Sequence, residues 1–169
     1  AWRIMQTRKK SNSTSVYRHF LDCCDALGAP DPVPALDRML VLDYLIANED
    51  RHLNNFGLIR NAETLKWLGF APIFDSGSSL GYDMRTSQIL RKTDIPCKPF
   101  KKSHAEQIRL VSDFSWIDFD RLSEMPERIM RILGDDRTRE FIDEARTDAI
   151  AESVRRRIGM LETIAEDAV

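Results

Sequence analysis

Residues 48–75 read NEDRHLNNFGLIRNAETLKWLGFAPIFD. The stretch sets Asn55 five residues after Asp50 and brings a second aspartate, Asp75, 25 residues after the first. Asn48 to Asn54 has no apolar periodicity and reads as a loop. Phe56–Ile59 and Leu65–Leu68 are short β-prone runs around the turn sequence RNAET, so the connection reads as a two-stranded hairpin. A third apolar run, Phe70 to Phe74, delivers Asp75, and the SGSSLGYDM that follows has the Gly and Ser content of a flexible loop. Phosphoryl transfer from a magnesium–nucleotide complex needs such a set: a carboxylate to orient or deprotonate the attacking hydroxyl, and oxygen ligands for the metal.

Working outward, Ala35 to Ala47 is apolar on nearly all sides, as a buried central helix would be, with Asp43 inside it. An Asp there pairs with a nearby Arg or a backbone donor, or helps position the loop just beyond. Upstream, Ser13 to Leu27 reads as a helix capped by Ser13 and stopped by Gly28, with Tyr17, Phe20, Leu21, Cys24 and Leu27 on one face. APDPVP (29–34) separates the two helices. Downstream, residues 84–102 read as irregular and polar, and SHAE (103–106) as a capping box that opens a helical tail. WIDFDRLSEMPERIMRIL suggests two short helices, the second with Pro126 in its first turn. A last helix is expected over about Asp136 to Ala165, with Ile142, Ala145, Ala149, Val154, Ile158, Leu161 and Ile164 as a stripe that packs on a helical core. A coiled-coil dimer is the alternative reading of that stripe. The fold class is mainly α with a small β-hairpin.

A chain of 169 residues, 43% hydrophobic and 31% charged, suits one globular domain that buries a real core. The net charge of −2 gives no bulk basic signal for nucleic acid. It conceals two local basic clusters, Arg8–Lys10 and Lys98 with Lys101 and Lys102. Cys23, Cys24 and Cys97 lack metal spacing, and their odd count fits a reducing cytoplasm. No apolar run approaches membrane-spanning length. The start, AWRIMQTRKKSN, lacks the apolar core of a secretory signal, and opening on Ala reads as an excised or trimmed chain.

Within the central stretch, Asp50 is the candidate base. Arg51 can pair with a carboxylate or phosphate, and His52 can hydrogen-bond the loop backbone to fix its shape. Asn55 supplies a neutral oxygen suited to Mg²⁺, and the spacing favours it over Asn54. Asp75, after an apolar run and before a Ser/Gly loop, can project a carboxylate into a cleft. Ser76, Ser78 and Ser79 are ordinary loop serines.

The segment LDYLIANEDRHLNNFGLI, followed by APIFDSGSSL and CKPF (97–100), resembles the HipA-like serine/threonine kinase family, over roughly Leu36 to Leu110. The order Asp-Arg-His, with the aspartate first, is shared by that family and by the more distant phosphoinositide-kinase-like branch. The resemblance implies Asp50 as catalytic base, with Arg51 and His52 beside it in the catalytic loop. It implies Asn55 and Asp75 as metal ligands, and ATP and Mg as cofactors. Asp-Ser-Gly stands where ordinary protein kinases have Asp-Phe-Gly. It further implies a nucleotide and a protein substrate as partners, while the charge balance and the short apolar runs predict no direct nucleic-acid or membrane contact.

No G-x-G-x-x-G is present, and Lys9 and Lys10 are the only lysines before Asp50. The expectation is therefore a C-terminal lobe without its nucleotide-binding lobe: catalytic loop 48–55, hairpin 56–74, metal-binding Asp loop 75–83, helical tail 103–168. Such a lobe would expose the face that meets its missing half, and alone would bind nucleotide weakly and turn over little. Two other readings stay open: a non-catalytic module that binds a partner such as a DNA-binding antitoxin, and a lipid or small-molecule kinase.

Overall fold

In a computed structural model, residues 1–92 and 94–168 are described. The centre is α3 (Val33–Ile46), preceded by α1 (Trp2–Met5) and α2 (Val16–Ala26). Leu36, Met39, Leu40, Val41, Tyr44 and Leu45 of α3 are all buried, with Phe20 and Cys24 of α2 in the same core. A helix apolar all round has to be enclosed, and α3 is. α2 starts later than expected: its cap is Ser15, whose hydroxyl accepts from the Arg18 amide at 3.1 Å, while Ser13 bonds the Ser11 side chain instead. Gly28 ends it at φ +63°, a conformation that costs glycine little.

α3 ends in the same kind of turn with an alanine in the left-handed position, Ala47 at φ 52°. The Asn48 amide reaches back to the Asp43 carbonyl at 2.9 Å and the Ala47 amide to Tyr44 at 3.3 Å, which throws the chain sharply off the helix. The hairpin β1 (Leu58–Arg60) and β2 (Trp67–Phe70) follows, pairing Leu58 with Phe70, Ile59 with Gly69 and Arg60 with Trp67 across an irregularity. Both strands start two residues later than the sequence predicts. The Asn61 side chain accepts from the Glu63 and Thr64 amides, closing a turn that consumes Leu65 and Lys66 before pairing starts. Phe56 is spent on the core, stacked on Phe70 at 6.0 Å. Beyond Phe70 the third apolar run forms no strand.

The stretch expected to be irregular contains one short helix, α4 (Thr86–Ile89), where Gln88 Oε1 accepts from the Arg85 amide and Ile89 is buried against Ala149 and Ile150. The tail is α5 (His104–Gln107) with a 3-10 turn (Ile108–Leu110), α6 (Phe119–Leu122), α7 (Met125–Leu133) and α8 (Glu144–Asp167). Ser103 sits at the start of α5, but its hydroxyl makes no capping bond. Glu106 accepts instead from the Lys102 amide at 3.3 Å, and a bridge between Pro96 and Ser103 fixes the entry. α8 begins eight residues later than expected because Asp143 caps it, while Thr138 and Arg139 bond the last carbonyls of α7 and the turns just after it. Ala149, Val154, Ile158 and Leu161 are buried within this chain, so the stripe of α8 packs on its own helical core. Ala145, expected in that stripe, is exposed. Among the described residues no helix is long and apolar enough to cross a membrane.

His104 ties the tail to the loop after α3, its Nε2 donating to the Asn48 carbonyl at 3.1 Å. Burial, then the nearby Arg157 charge, pull its pKa down from 6.5 to about 4. The unfolded chain therefore takes up this proton at higher pH than the native one, so the contribution to stability is lost as pH falls from about 6.5 towards 4. Urea midpoints measured across that range should fall with acid more steeply in the unsubstituted chain than in His104→Asn. Equal slopes would contradict the buried neutral imidazole.

Candidate functional site

Three stretches meet beyond the C-terminal end of α3: the loop 48–55, the segment 71–80 returning from the hairpin, and the loop 95–103. Arg51 joins the first two. Its guanidinium is 0% exposed and all five N–H donors are used. Nε and Nη2 grip Asp43 Oδ2 and Oδ1 at 2.8 Å each. Nη1 donates to the Asn55 carbonyl at 3.0 Å and to the Phe74 carbonyl, and Nη2 also donates to the Ser76 hydroxyl at 3.0 Å. One side chain thus holds α3, the carbonyl of Asn55, and the residues on both sides of Asp75. Asp43 is also fully buried, and Asn48 Nδ2 donates to its Oδ1 at 2.9 Å. Arg51 does pair with a carboxylate, but from inside the protein, where it reaches no substrate.

The other nominated residues stand around this anchor. Asp50 is partly exposed, its amide held by Asn48 Oδ1 at 3.2 Å. Asn55 is buried and its Nδ2 donates to the Asp50 carbonyl at 3.1 Å, which orients the amide and leaves Oδ1 accepting nothing among the described residues. That is a free neutral oxygen of the kind a hard cation takes. His52 shapes the loop, its amide donating to the Asp50 carbonyl at 2.7 Å and its Nδ1 accepting from the Asn54 amide at 3.2 Å. Asp75 is exposed at φ 55°, and nothing donates to its carboxylate among the described residues. Its loop is laced to the end of α3 by Glu49 N–H to Ser78 O at 2.9 Å and Leu80 N–H to Ile46 O at 2.7 Å. Glu49, next to Asp50, turns inward, and burial raises its carboxyl. Among the described residues no group of three or more His, Cys, Asp or Glu side chains could hold a metal. An Asn and an Asp fit a magnesium ion that draws its remaining ligands from phosphates and water.

The sequence did not nominate the third stretch. Lys98 Nζ lies 2.6 Å from Asp50 Oδ1. This hydrogen bond holds the Asp50 carboxyl below the usual carboxylate range, against an opposing desolvation and with help from the Lys98 and His52 charges. The 98–101 backbone is held by the buried Gln107, whose Oε1 accepts from the Phe100 and Lys101 amides at 2.9 and 3.1 Å while Nε2 donates to the Lys98 carbonyl at 2.9 Å. Lys98 was visible only as part of a basic cluster and of CKPF. Its partner is 48 residues away, and no local pattern carries that pairing.

No family model matches the chain, and no curated protein matches it. Among solved structures it superimposes on the Helicobacter pylori proinflammatory kinase CtkA with a TM-score of 0.59 at 18% identity, over 98% of this chain and 66% of that one. At that identity the likeness shows the fold. This chain has the fold of a helical kinase lobe. It spans just under two thirds of the length of the CtkA chain.

Removing the guanidinium leaves Asp43 charged, buried and unpaired. Arg51→Met should lower stability by about 3–5 kcal/mol in urea unfolding, and Asp43→Asn/Arg51→Met should lose clearly less than the sum of the single changes. Additive losses would contradict the coupling.

Proposed function

We propose that this chain is the catalytic lobe of an ATP- and Mg-dependent serine/threonine protein kinase of the HipA-like kind, with the residues that cover the nucleotide supplied from outside it. The observation that carries the reading is the Arg51 guanidinium, which holds the Asn55 carbonyl and both neighbours of Asp75 at once. A scaffold has no need to fix one free Asn oxygen and one unpartnered carboxylate on the same anchor. The open setting of the site supports the missing cover: Asp75 is exposed, and so are the apolar side chains of Ile73 and Phe74 just before it.

In this reading Asp50 accepts a hydrogen bond from a Ser or Thr hydroxyl, orients its lone pair towards the γ-phosphorus of the nucleotide, and takes the proton as the bond forms. Asn55 Oδ1 and the Asp75 carboxylate would hold magnesium, which when bound neutralises phosphate charge. His52 and Asn48 keep Asp50 in place through the loop backbone, and Arg51 keeps the two halves of the metal pair together. This lowers the barrier chiefly by positioning and by fixed charge.

Calorimetric titration of Mg-ATP into the chain should show weak, saturable binding in the millimolar range, about −4 kcal/mol, that is lost in Asp75→Asn. The absence of saturable binding, or equal binding by Asp75→Asn, would overturn the reading.

A further inference from the structure

We propose that Lys98 is a catalytic residue of this site, whose ammonium contacts the phosphoryl group being transferred from a nucleoside triphosphate. The inference rests on the reading above and adds a residue from a separate stretch of chain. Its ground is the pairing of Lys98 Nζ with Asp50 Oδ1 at 2.6 Å, together with what holds it there. Gln107 is 2% exposed and commits both ends of its amide to the Lys98, Phe100 and Lys101 backbone. Phe100 packs edge-on against Phe56, the residue after Asn55, and against Tyr17, at 5.8 and 5.1 Å. A buried glutamine and an aromatic anchor thus fix the backbone of a loop that presents an exposed lysine to the candidate base.

An ion pair this exposed contributes little to stability, so stability does not account for the arrangement. Nor does the pairing block the base. Among the described residues Lys98 takes one carboxylate oxygen and nothing takes Oδ2, and only one of the three N–H donors of Lys98 is engaged. A hydroxyl held by that free oxygen at about 3 Å, and lying about 3–3.5 Å from the phosphorus, puts the phosphoryl oxygens within a short swing of Nζ. In the transfer the acceptor oxygen bonds to the γ-phosphorus as the bond to the β–γ bridging oxygen breaks. The electron pair leaves with the diphosphate and the hydroxyl proton passes to Asp50. Negative charge spread over the transferred group is what a cation at Lys98 stabilises.

The γ-phosphate is the part that distinguishes ATP from ADP, and this gives the test. Mg-ATP and Mg-ADP are titrated by NMR into the unsubstituted chain, Lys98→Met, Lys98→Arg and Asp75→Asn. Lys98→Met should weaken Mg-ATP about tenfold and Mg-ADP less than about twofold, with Lys98→Arg keeping most of the preference. Equal weakening of both nucleotides, or no change in either, overturns the assignment of Lys98 while Asp75-dependent binding leaves the kinase reading standing. Binding that is absent or indifferent to Asp75→Asn removes that reading, and the Lys98 inference with it.

Discussion

The link between the 48–55 loop and the Asp75 segment hangs on one buried guanidinium. Arg51 and Asp43 are both out of water, an arrangement that gains little net stability, because the attraction between the charges is largely spent on stripping their hydration. What the pair provides is position. A planar fork with five donors has one way to satisfy them all here: two on a helix carboxylate, one on the Asn55 carbonyl, and two on the chain either side of Asp75. A lysine has neither the plane nor the donor count to do this.

The local backbone is shaped to the same end. Ala47 accepts a left-handed conformation so that α3 stops abruptly and Asn48 can grip both Asp43 and the Asp50 amide. Asp75 accepts another, which sets its carboxylate in solvent while the Phe74 carbonyl and the Ser76 hydroxyl turn to Arg51. Each costs on the order of 1 kcal/mol for a residue with a Cβ, a cost the hydrogen bonds on either side outweigh. The rigid parts are the parts underneath, and the groups left for chemistry point outward. The two stretches of chain that meet at Asp50 also serve different needs: the loop after α3 shapes the carboxylate, and the Gln107-held loop sets its charge environment.

The parts legible in the sequence were those with local cause. The all-round apolar pattern of α3, the Gly28 stop and the turn at RNAET are written within a few residues of where they act, and the Asp50–Asn55 spacing belongs to a single loop. The misplaced boundaries share a physical origin: a side chain closer to the turn captured the backbone first, Ser15 for α2, Asn61 for the hairpin and Asp143 for α8. Long-range partners had no local trace. The expected pairing of Asp43 with a nearby Arg is met by Arg51, two helical turns on, but nothing local showed that the other partners of this guanidinium lie beyond a hairpin. Ser76 looked like loop filler, although its hydroxyl closes the last of the five donations. Lys98 and Gln107 emerge only once the chain has doubled back.

The central claim is that one ion pair couples the 48–55 loop to the Asp75 segment, and native-state amide hydrogen exchange on Asp43→Asn tests it most directly. The amides of Glu49, Asn55 and Leu80 report the two segments and the lacing between them. The account predicts that all three lose protection together while amides in the middle of α2 keep theirs. Loss confined to the 48–55 loop, with Leu80 unchanged, would contradict it.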